Sequence, residues 1–290
     1  MTLQLLVVTL RNGGIEPVLL KGQGLAHYYP IPELRQCGDI DIYVGKDNYE
    51  KAYDLILPIA SEIEDRKEIW QMKHFDASVG KVMVEVHHKT DVMSSHKLDK
   101  IYQDLMLDGM SRNLSCIKVG DVDVMTPNDT YNVFYVFYHL WRHFSTLGVG
   151  LRQFSDWACF LHTHVGKLDL PYLKKMITDL GFMKPWQVFG CFLEDLGLPE
   201  EEFPFYNTRY EGKVNRVREY VMTDGNFGVN ILAVQEKRRG YFHGKWVTVK
   251  YYVLRFVRMF SLFPKHTILS CYYLLRHGFT QVFKDMRKEK

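Results

Sequence analysis

The chain has 290 residues, of which 47% are hydrophobic and 14% aromatic; this length suffices for about two domains, and the apolar content excludes disordered and fibrous classes. Its five cysteines are scattered and never form a CxxC pair, which argues against a disulfide framework or a zinc ribbon and favours a reducing, cytoplasmic setting. No stretch reaches the roughly 18 to 20 uncharged apolar residues of a spanning helix, so secretion and membrane insertion are not expected.

Charge is distributed unevenly along the chain. The formal net charge is +3, but residues 243–290 hold ten Lys and Arg against only Asp285 and Glu289. A basic C-terminus of this kind has three interpretations, which are contact with nucleic acid, contact with an anionic membrane surface, or no such contact.

The first elements mix helices and strands. The hydrophobic pattern predicts a short helix over 3–11 and, after two glycines, a buried strand over 17–20. A helix over 25–29 ends at two prolines, and an alternating strand follows over 38–44. A helix over 47–60 and a second alternating strand over 81–88 complete this part of the chain.

Two acidic residues lie on the strand over 38–44. The period of two places Asp39 and Asp41 on one face and three aliphatic residues on the other. Their Cα atoms are then roughly 6.5 to 7 Å apart, and such neighbouring carboxylates are tolerated when a cation neutralises them. Hard oxygen ligands favour Mg²⁺ or Mn²⁺, and the pair suits two-metal phosphoryl or nucleotidyl transfer. The alternative is that both acids simply face solvent.

A third acid stands on the strand over 81–88. Glu85 lies on the face opposite the valines, and His87 shares that face. We expect Glu85 to complete a set of three carboxylates. His87 has three interpretations: it orients a carboxylate, contacts phosphate, or only packs.

A glycine-rich turn precedes the acidic strand. The run Lys21-Gly22-Gln23-Gly24 sits at a strand-to-helix transition, where free backbone N–H groups and the helix dipole favour a bound phosphate. By itself the pattern is also consistent with a plain turn.

The hydrophobic periodicity of the chain becomes helical near residue 126. The pattern predicts helices over 130–146, 151–164, 170–181, 184–196, 211–222, 246–263 and 267–288. We therefore predict an α+β chain in which residues 1–125 form a catalytic domain with a mixed sheet. Residues 126–290 then form an all-helical domain, the other wall of the cleft, with a basic amphipathic C-terminus.

Three segments together carry a resemblance to a known family. They are residues 18–22 (VLLKG), 29–44 (YPIPELRQCGDIDIYV) and 84–87 (VEVH). They resemble the uncharacterised nucleotidyltransferase family of the DNA polymerase β-like superfamily. The resemblance covers roughly residues 15 to 200, less specifically in the helical half.

The resemblance implies both a fold and a reaction. It implies a polymerase β-like domain in which Asp39, Asp41 and Glu85 are catalytic and bind Mg²⁺ (or Mn²⁺), with an NTP as substrate. The residues expected to bind the nucleotide are Lys21, Gly22, Arg35, Gly38 and Arg152. Lys21-Gly22 stands where the superfamily usually has Gly-Ser, which changes the geometry expected at the phosphates.

The implied reaction is Mg²⁺-dependent transfer of an NMP from an NTP to the hydroxyl of an unidentified acceptor, with release of pyrophosphate. A small molecule, a sugar, a protein side chain and an RNA end are all compatible acceptors. The second hypothesis is a catalytically lapsed nucleotide-binding or interaction protein on the same fold.

Other motifs have competing interpretations. His139 and His143 have the i, i+4 spacing of a zinc pair, although partly buried histidines are commoner. Arg152 either forms a surface ion pair with Asp156 or binds triphosphate or acceptor.

The C-terminal apolar pattern also has two interpretations. It comprises Val253, Phe256, Val257, Phe260 and Phe263, then Ile268, Tyr272, Leu275, Phe279 and Val282. It favours docking on the core over peripheral binding to anionic lipid. No motif supports sequence-specific DNA binding.

Overall fold

The computed structural model describes residues 1–146, 148–224 and 253–271. Sequence-based predictions for the remaining residues lie outside this range. They include most of the last predicted helix and the packing of Tyr272, Leu275, Phe279 and Val282.

A seven-stranded sheet in the order β3-β4-β5-β2-β1-β7-β6 organises the first half of the chain. Parallel pairing joins β1 to β7 and β2 to β5, and the other neighbours are antiparallel. The sheet is therefore mixed, as predicted. The strands are β1 (Val18–Leu20), β2 (Asp39–Tyr43), β3 (Glu62–Ile63), β4 (His74–Val79), β5 (Val82–His87), β6 (Ser115–Val119) and β7 (Val122–Thr126).

Helices occupy most of the rest of the described chain, which confirms the α+β fold class. They are α1 (Thr2–Asn12), α2 (Gly22–Ala26), α3 (Tyr49–Ile56), α4 (His96–Gly109), α5 (Asp129–Thr146), α6 (Leu151–Thr163), α7 (Leu170–Asp179), α8 (Met183–Asp195) and α9 (Val214–Asp224). Residues 253–262 and 264–271 are also helical. Among the residues that the structure describes, none of the helices combines the length and the apolar content that crossing a bilayer requires.

The two faces of the sheet differ in chemistry. The aliphatic positions of β2 and β5, such as Ile40, Ile42 and Val84, join a buried core with α1 and α3. Because side chains alternate along a strand, the intervening positions all point to the other face. This opposite face carries the acids that the sequence singled out.

The hairpin β6–β7 and the helix α4 were not predicted. The hairpin has the alternating pattern of a half-buried antiparallel pair, and it turns at Gly120, whose φ of 60° suits glycine. Its strands are only five residues long and carry charged side chains, so their apolar signal is weak.

The described chain forms two compact units. One comprises residues 1–93, 97–136 and 156–180, and the other comprises 94–96, 137–155 and the described residues from 181 onward. The sheet and the start of α5 belong to the first unit. The second unit has an aromatic core in which Phe189 contacts Phe137, Trp141 and Phe263. The assignment of 1–125 as catalytic domain and 126–290 as the facing wall stays a prediction.

The helix over 253–262 packs with a different face than predicted. Four members of its apolar stripe, namely Val253, Phe256, Val257 and Phe260, are exposed, and only Phe263, one residue after this helix, is buried. The buried positions of the helix itself include Arg255, whose guanidinium donates hydrogen bonds to the carbonyl oxygens of His143, Phe144 and Ser145. These carbonyls lie in the last turn of α5, where helical C=O groups have no N–H partner four residues on, and His143 also accepts from the backbone N–H of Gly148. The predicted core packing is therefore wrong for Val253, Phe256, Val257 and Phe260, whereas Phe263 is buried as predicted.

Two phenylalanines of this segment provide a matched test of this difference in burial. Phe263 is 1% exposed and Phe260 is 44% exposed. We expect Phe263→Ala to lower the free energy of unfolding by about 3–5 kcal/mol, as for a buried phenylalanine. We expect Phe260→Ala to cost less than about 1.5 kcal/mol, because mainly its stacking with Phe256 is lost. Urea unfolding measures both, and equal losses would contradict the observed orientation.

Candidate active site

Polar side chains from three neighbouring strands converge on one face of the sheet. Asp41 of β2 pairs in register with Glu85 of β5, which in turn faces Asp76 of β4. One step along, His87 pairs with His74. The register therefore confirms that Asp39, Asp41 and Glu85 share a face, and it adds the two histidines and Asp76.

Asp41 is buried, with only 2% of its surface exposed. Its Oδ1 lies 2.8 Å from Nζ of Lys21 and 3.0 Å from Nε2 of His87. Burial alone would raise the pKa of Asp41, but the Lys21 charge and the contact with His87 hold that pKa well below its ordinary value. The alternative that both acids simply face solvent is therefore wrong for Asp41. Tyr135 of α5, which belongs to the same unit as the sheet, lies near Lys21.

Lys21 reaches Asp41 because of an unusual backbone turn. Lys21 has a φ of 43°, which is rare for a residue with a side chain, and Gly22 has a φ of 35°. A Cβ on Gly22 would also lie 3.4 Å from the carbonyl oxygen of Asp39. The positive φ favours glycine here, whereas the contact by itself would be an ordinary van der Waals distance. The turn thus directs the ammonium group into the acidic cluster, and in this structure its partner is Asp41.

Glu85 is paired with both histidines. Its Oε2 lies 3.2 Å from Nε2 of His87 and 3.5 Å from Nδ1 of His74. Burial would raise the pKa of Glu85, but the hydrogen bond from His87 and the charge of Lys21 lower it. Burial, together with neighbouring His87, lowers the pKa of His74 to about 4. His74 is therefore neutral at neutral pH.

Asp39 is the carboxylate of the cluster that is open to a ligand. It is half-exposed, and across the described ranges no side chain hydrogen-bonds to it or forms an ion pair with it. Burial and the negative charge of Asp41 raise the pKa of Asp39. A bound cation would offset the repulsion between the Asp39 and Asp41 carboxylates. Carboxylate oxygens from Asp39, Asp41 and Glu85 are the donors that Mg²⁺ prefers, so these residues fit the implied ion.

Arg35 is engaged within the protein. Its Nε and one terminal nitrogen each lie 2.7 Å from a different oxygen of Asp156, and the hydroxyl of Tyr29 donates to the same carboxylate at 2.6 Å. Both charged side chains are less than 10% exposed. The bidentate pair ties the segment before β2 to α6 and so helps to position Asp39. The predicted nucleotide contact of Arg35 would require this fork to open.

The other predicted site residues lie outside the acidic cluster or have no contact that explains them. Gly38 has no atom within 4 Å of a built Cβ, so packing does not require glycine there. Arg152 lies on α6 within the second unit, and its role stays a prediction. The rings of His139 and His143 are in edge contact, with centroids 4.4 Å apart. In the described part of the chain, the three ligand-bearing side chains close enough to share an ion are His74, Glu85 and His87. The predicted set of Asp39, Asp41 and Glu85 does not meet that distance limit, so its binding of metal stays a prediction.

His74 is the functional candidate that sequence reasoning missed. Residues 74–79 alternate polar and apolar side chains, with His74 and Asp76 on the same face. This period of two, next to the strand that carries Glu85, is the signal that points to it.

The buried Lys21–Asp41 pair has a direct consequence for stability. Lys21→Met leaves the Asp41 carboxylate buried without its cation, and breaking a buried pair in this way costs about 3–5 kcal/mol. We expect the double variant Lys21→Met/Asp41→Asn to be more stable than Lys21→Met alone. The control is Lys175→Met, which removes an exposed i, i+4 pair with Asp179 and should cost less than about 1 kcal/mol. Urea unfolding that gives similar losses for Lys21→Met and Lys175→Met would contradict the pairing.

Comparisons with known proteins place the chain in a family. A search of curated proteins finds no match. Solved structures that a structure search matches to this chain include ANT(2″)-Ia in complex with adenylyl-2″-tobramycin, at 8% identity and a TM-score of 0.43 over 62% of this chain and 94% of that one. Another is an antigenic nucleotidyltransferase-like protein from Paracoccidioides brasiliensis, at 10% identity and a TM-score of 0.41 over 71% and 93%.

The family model described as an uncharacterised nucleotidyltransferase matches residues 2–195. This range contains the sheet, the Lys21 turn and all three acids. The chain therefore belongs to this uncharacterised nucleotidyltransferase family.

Proposed function

We propose that the chain transfers an NMP from an NTP to an acceptor hydroxyl, with Asp39, Asp41 and Glu85 as its metal-binding carboxylates. The observation that carries the proposal is the cluster itself, in which a half-exposed Asp39 adjoins the buried Asp41 and the partly exposed Glu85. Family membership supports the reaction class. When bound, Mg²⁺ would neutralise phosphate charge and polarise the α-phosphorus.

The chemistry proposed for the protein is positioning and charge stabilisation. The acceptor oxygen forms a bond to the α-phosphorus, the bond to the β-phosphate oxygen breaks, and pyrophosphate leaves with the electron pair. The acceptor proton goes to a base or to water. Asp39 and Asp41 are anchored on one strand, which limits their motion and favours a fixed geometry.

We propose that Lys21 has two alternative partners. Without nucleotide its ammonium is paired to Asp41 at 2.8 Å. With a cation on Asp41, that charge is compensated and Lys21 becomes available to a phosphate oxygen. Burial opposes its charge, but Asp41 raises the pKa of Lys21, so the group enters this exchange protonated.

One observation favours the second candidate function, a lapsed nucleotide-binding or interaction protein. The Lys21–Asp41 pair satisfies the central carboxylate without any metal. If Lys21 keeps Asp41 when nucleotide binds, the site holds nucleotide without transferring it. The acceptor remains open among a small molecule, a sugar, a protein side chain and an RNA end.

Label transfer separates these functions. The full chain is incubated with Mg²⁺ and a mixture of candidate acceptors, using α-labelled or γ-labelled NTP in parallel. We expect label in product from the α-position only, with at least about hundredfold loss in Asp39→Asn and Glu85→Gln, the scale of a lost transition-state contact.

The control variant for label transfer is Asp121→Asn, an exposed acid in the β6–β7 turn. It should transfer label like wild type. Transfer from the γ-position would indicate kinase chemistry instead. Wild-type transfer in Asp39→Asn would contradict the metal assignment, and NTP-dependent thermal stabilisation without any transfer would favour the lapsed protein.

A further inference from the structure

Two histidines and one carboxylate meet on adjacent strands beside the three acids. Nδ1 of His74 and Nε2 of His87 approach the same Oε2 of Glu85 at 3.5 and 3.2 Å. All three ligand atoms lie within 4.8 Å of one another. We propose that His74, Glu85 and His87 form a binding site for a Zn²⁺-class transition-metal ion.

The backbone holds these side chains in place. His74 and His87 are directly paired in the antiparallel β4–β5 ladder, and Glu85 is two positions before His87 on the same face. Side chains so placed are fixed by two strands rather than by a mobile loop. The arrangement therefore exists before any ligand binds.

The ring nitrogen of His74 that faces Glu85 has no hydrogen-bond partner. Nδ1 of His74 is buried from solvent and makes no hydrogen bond. Its other nitrogen, Nε2, lies 3.4 Å from Oδ1 of Asp76. In the tautomer that has its hydrogen on Nε2, His74 offers the lone pair of Nδ1 towards Glu85. Carboxylate–histidine contacts of this type commonly orient a metal-binding imidazole.

His87 faces Glu85 with its other ring nitrogen, Nε2. Nδ1 of His87 lies 3.3 Å from the carbonyl oxygen of Lys89, which can only accept a hydrogen bond. Nε2 then faces Oδ1 of Asp41 at 3.0 Å and Oε2 of Glu85 at 3.2 Å. A divalent cation held between Nε2 and Oε2 of Glu85 would be balanced by the negative charges of Glu85 and of the adjacent Asp41. His87 itself is fully buried.

The donor set determines which ion fits. Two imidazole nitrogens and one carboxylate form the donor set of many catalytic zinc sites. Imidazole suits Zn²⁺ and its neighbours, whereas Mg²⁺ takes oxygen ligands. This inference rests on the proposed function only in sharing Glu85. It adds a transition-metal ion next to the carboxylates of Asp39 and Asp41, which suit Mg²⁺.

The test uses Co²⁺ as a spectroscopic probe of the full chain after chelator treatment, without nucleotide. We expect saturable visible d–d absorption at one Co²⁺ per chain, which stoichiometric Zn²⁺ abolishes and excess Mg²⁺ does not. His74→Ala should remove the absorption. Asp76→Asn, which changes only the orienting partner, should weaken affinity by about 10–100-fold.

His27→Ala is the matched control, because His27 is exposed and outside the cluster, and it should bind Co²⁺ like wild type. Asp76 is also exposed, so Asp76→Asn tests the site without removing a buried group. Absence of a saturable spectrum, or an unchanged spectrum in both His74→Ala and Asp76→Asn, would overturn the site. Co²⁺ binding without label transfer would leave the site standing and contradict the proposed function. Mg²⁺-dependent transfer without Co²⁺ binding would support the proposed function and overturn the transition-metal site.

Discussion

The buried contact between Lys21 and Asp41 is the interaction on which the site depends. A carboxylate with 2% exposure is costly to bury unless opposite charge and hydrogen bonds compensate it. Lys21 supplies the charge only because its backbone adopts a φ of 43° and Gly22 follows with a positive φ. The strained turn, the acidic strand and His87 are therefore mutually dependent. A ligand that takes over Asp41 changes the partners of Lys21 and His87 at once.

The parts of the site that follow strand alternation were predictable from the sequence. Period two placed Asp39 and Asp41 on one face and Glu85 on the matching face of a second strand, and the register confirms it. The burial of Asp41 was not predictable, because strand alternation does not specify its contacts with Lys21, 20 positions before it, and His87, 46 positions after it. The predicted buried face of the helix over 253–262 was wrong for a similar reason. Arg255 is buried and donates a hydrogen bond to a distant carbonyl oxygen, and most of the apolar stripe is exposed.

A second buried ion pair, between Arg35 and Asp156, holds the segment that precedes β2. Arg35, four residues before Asp39, is held by both oxygens of Asp156 and shares that carboxylate with Tyr29. Bidentate pairing restricts orientation as well as distance. The sequence placed Arg35 and Asp156 in separate hypotheses, since residues 121 positions apart give no local pattern. Structurally, the pair fixes the segment that leads into β2, where the only half-exposed acid of the DxD pair begins the strand.

The central claim is that Asp41 exchanges Lys21 for a metal ion when nucleotide binds. The most direct measurement is an anomalous difference map from crystals of the full chain with Mn²⁺ and an NTP analogue that resists cleavage at the α–β bridge. The account predicts a manganese peak at the carboxylates of Asp39 and Asp41, with Lys21 moved from Asp41 to a phosphate oxygen. Nucleotide bound with Lys21 still on Asp41 and no manganese at either carboxylate would contradict it.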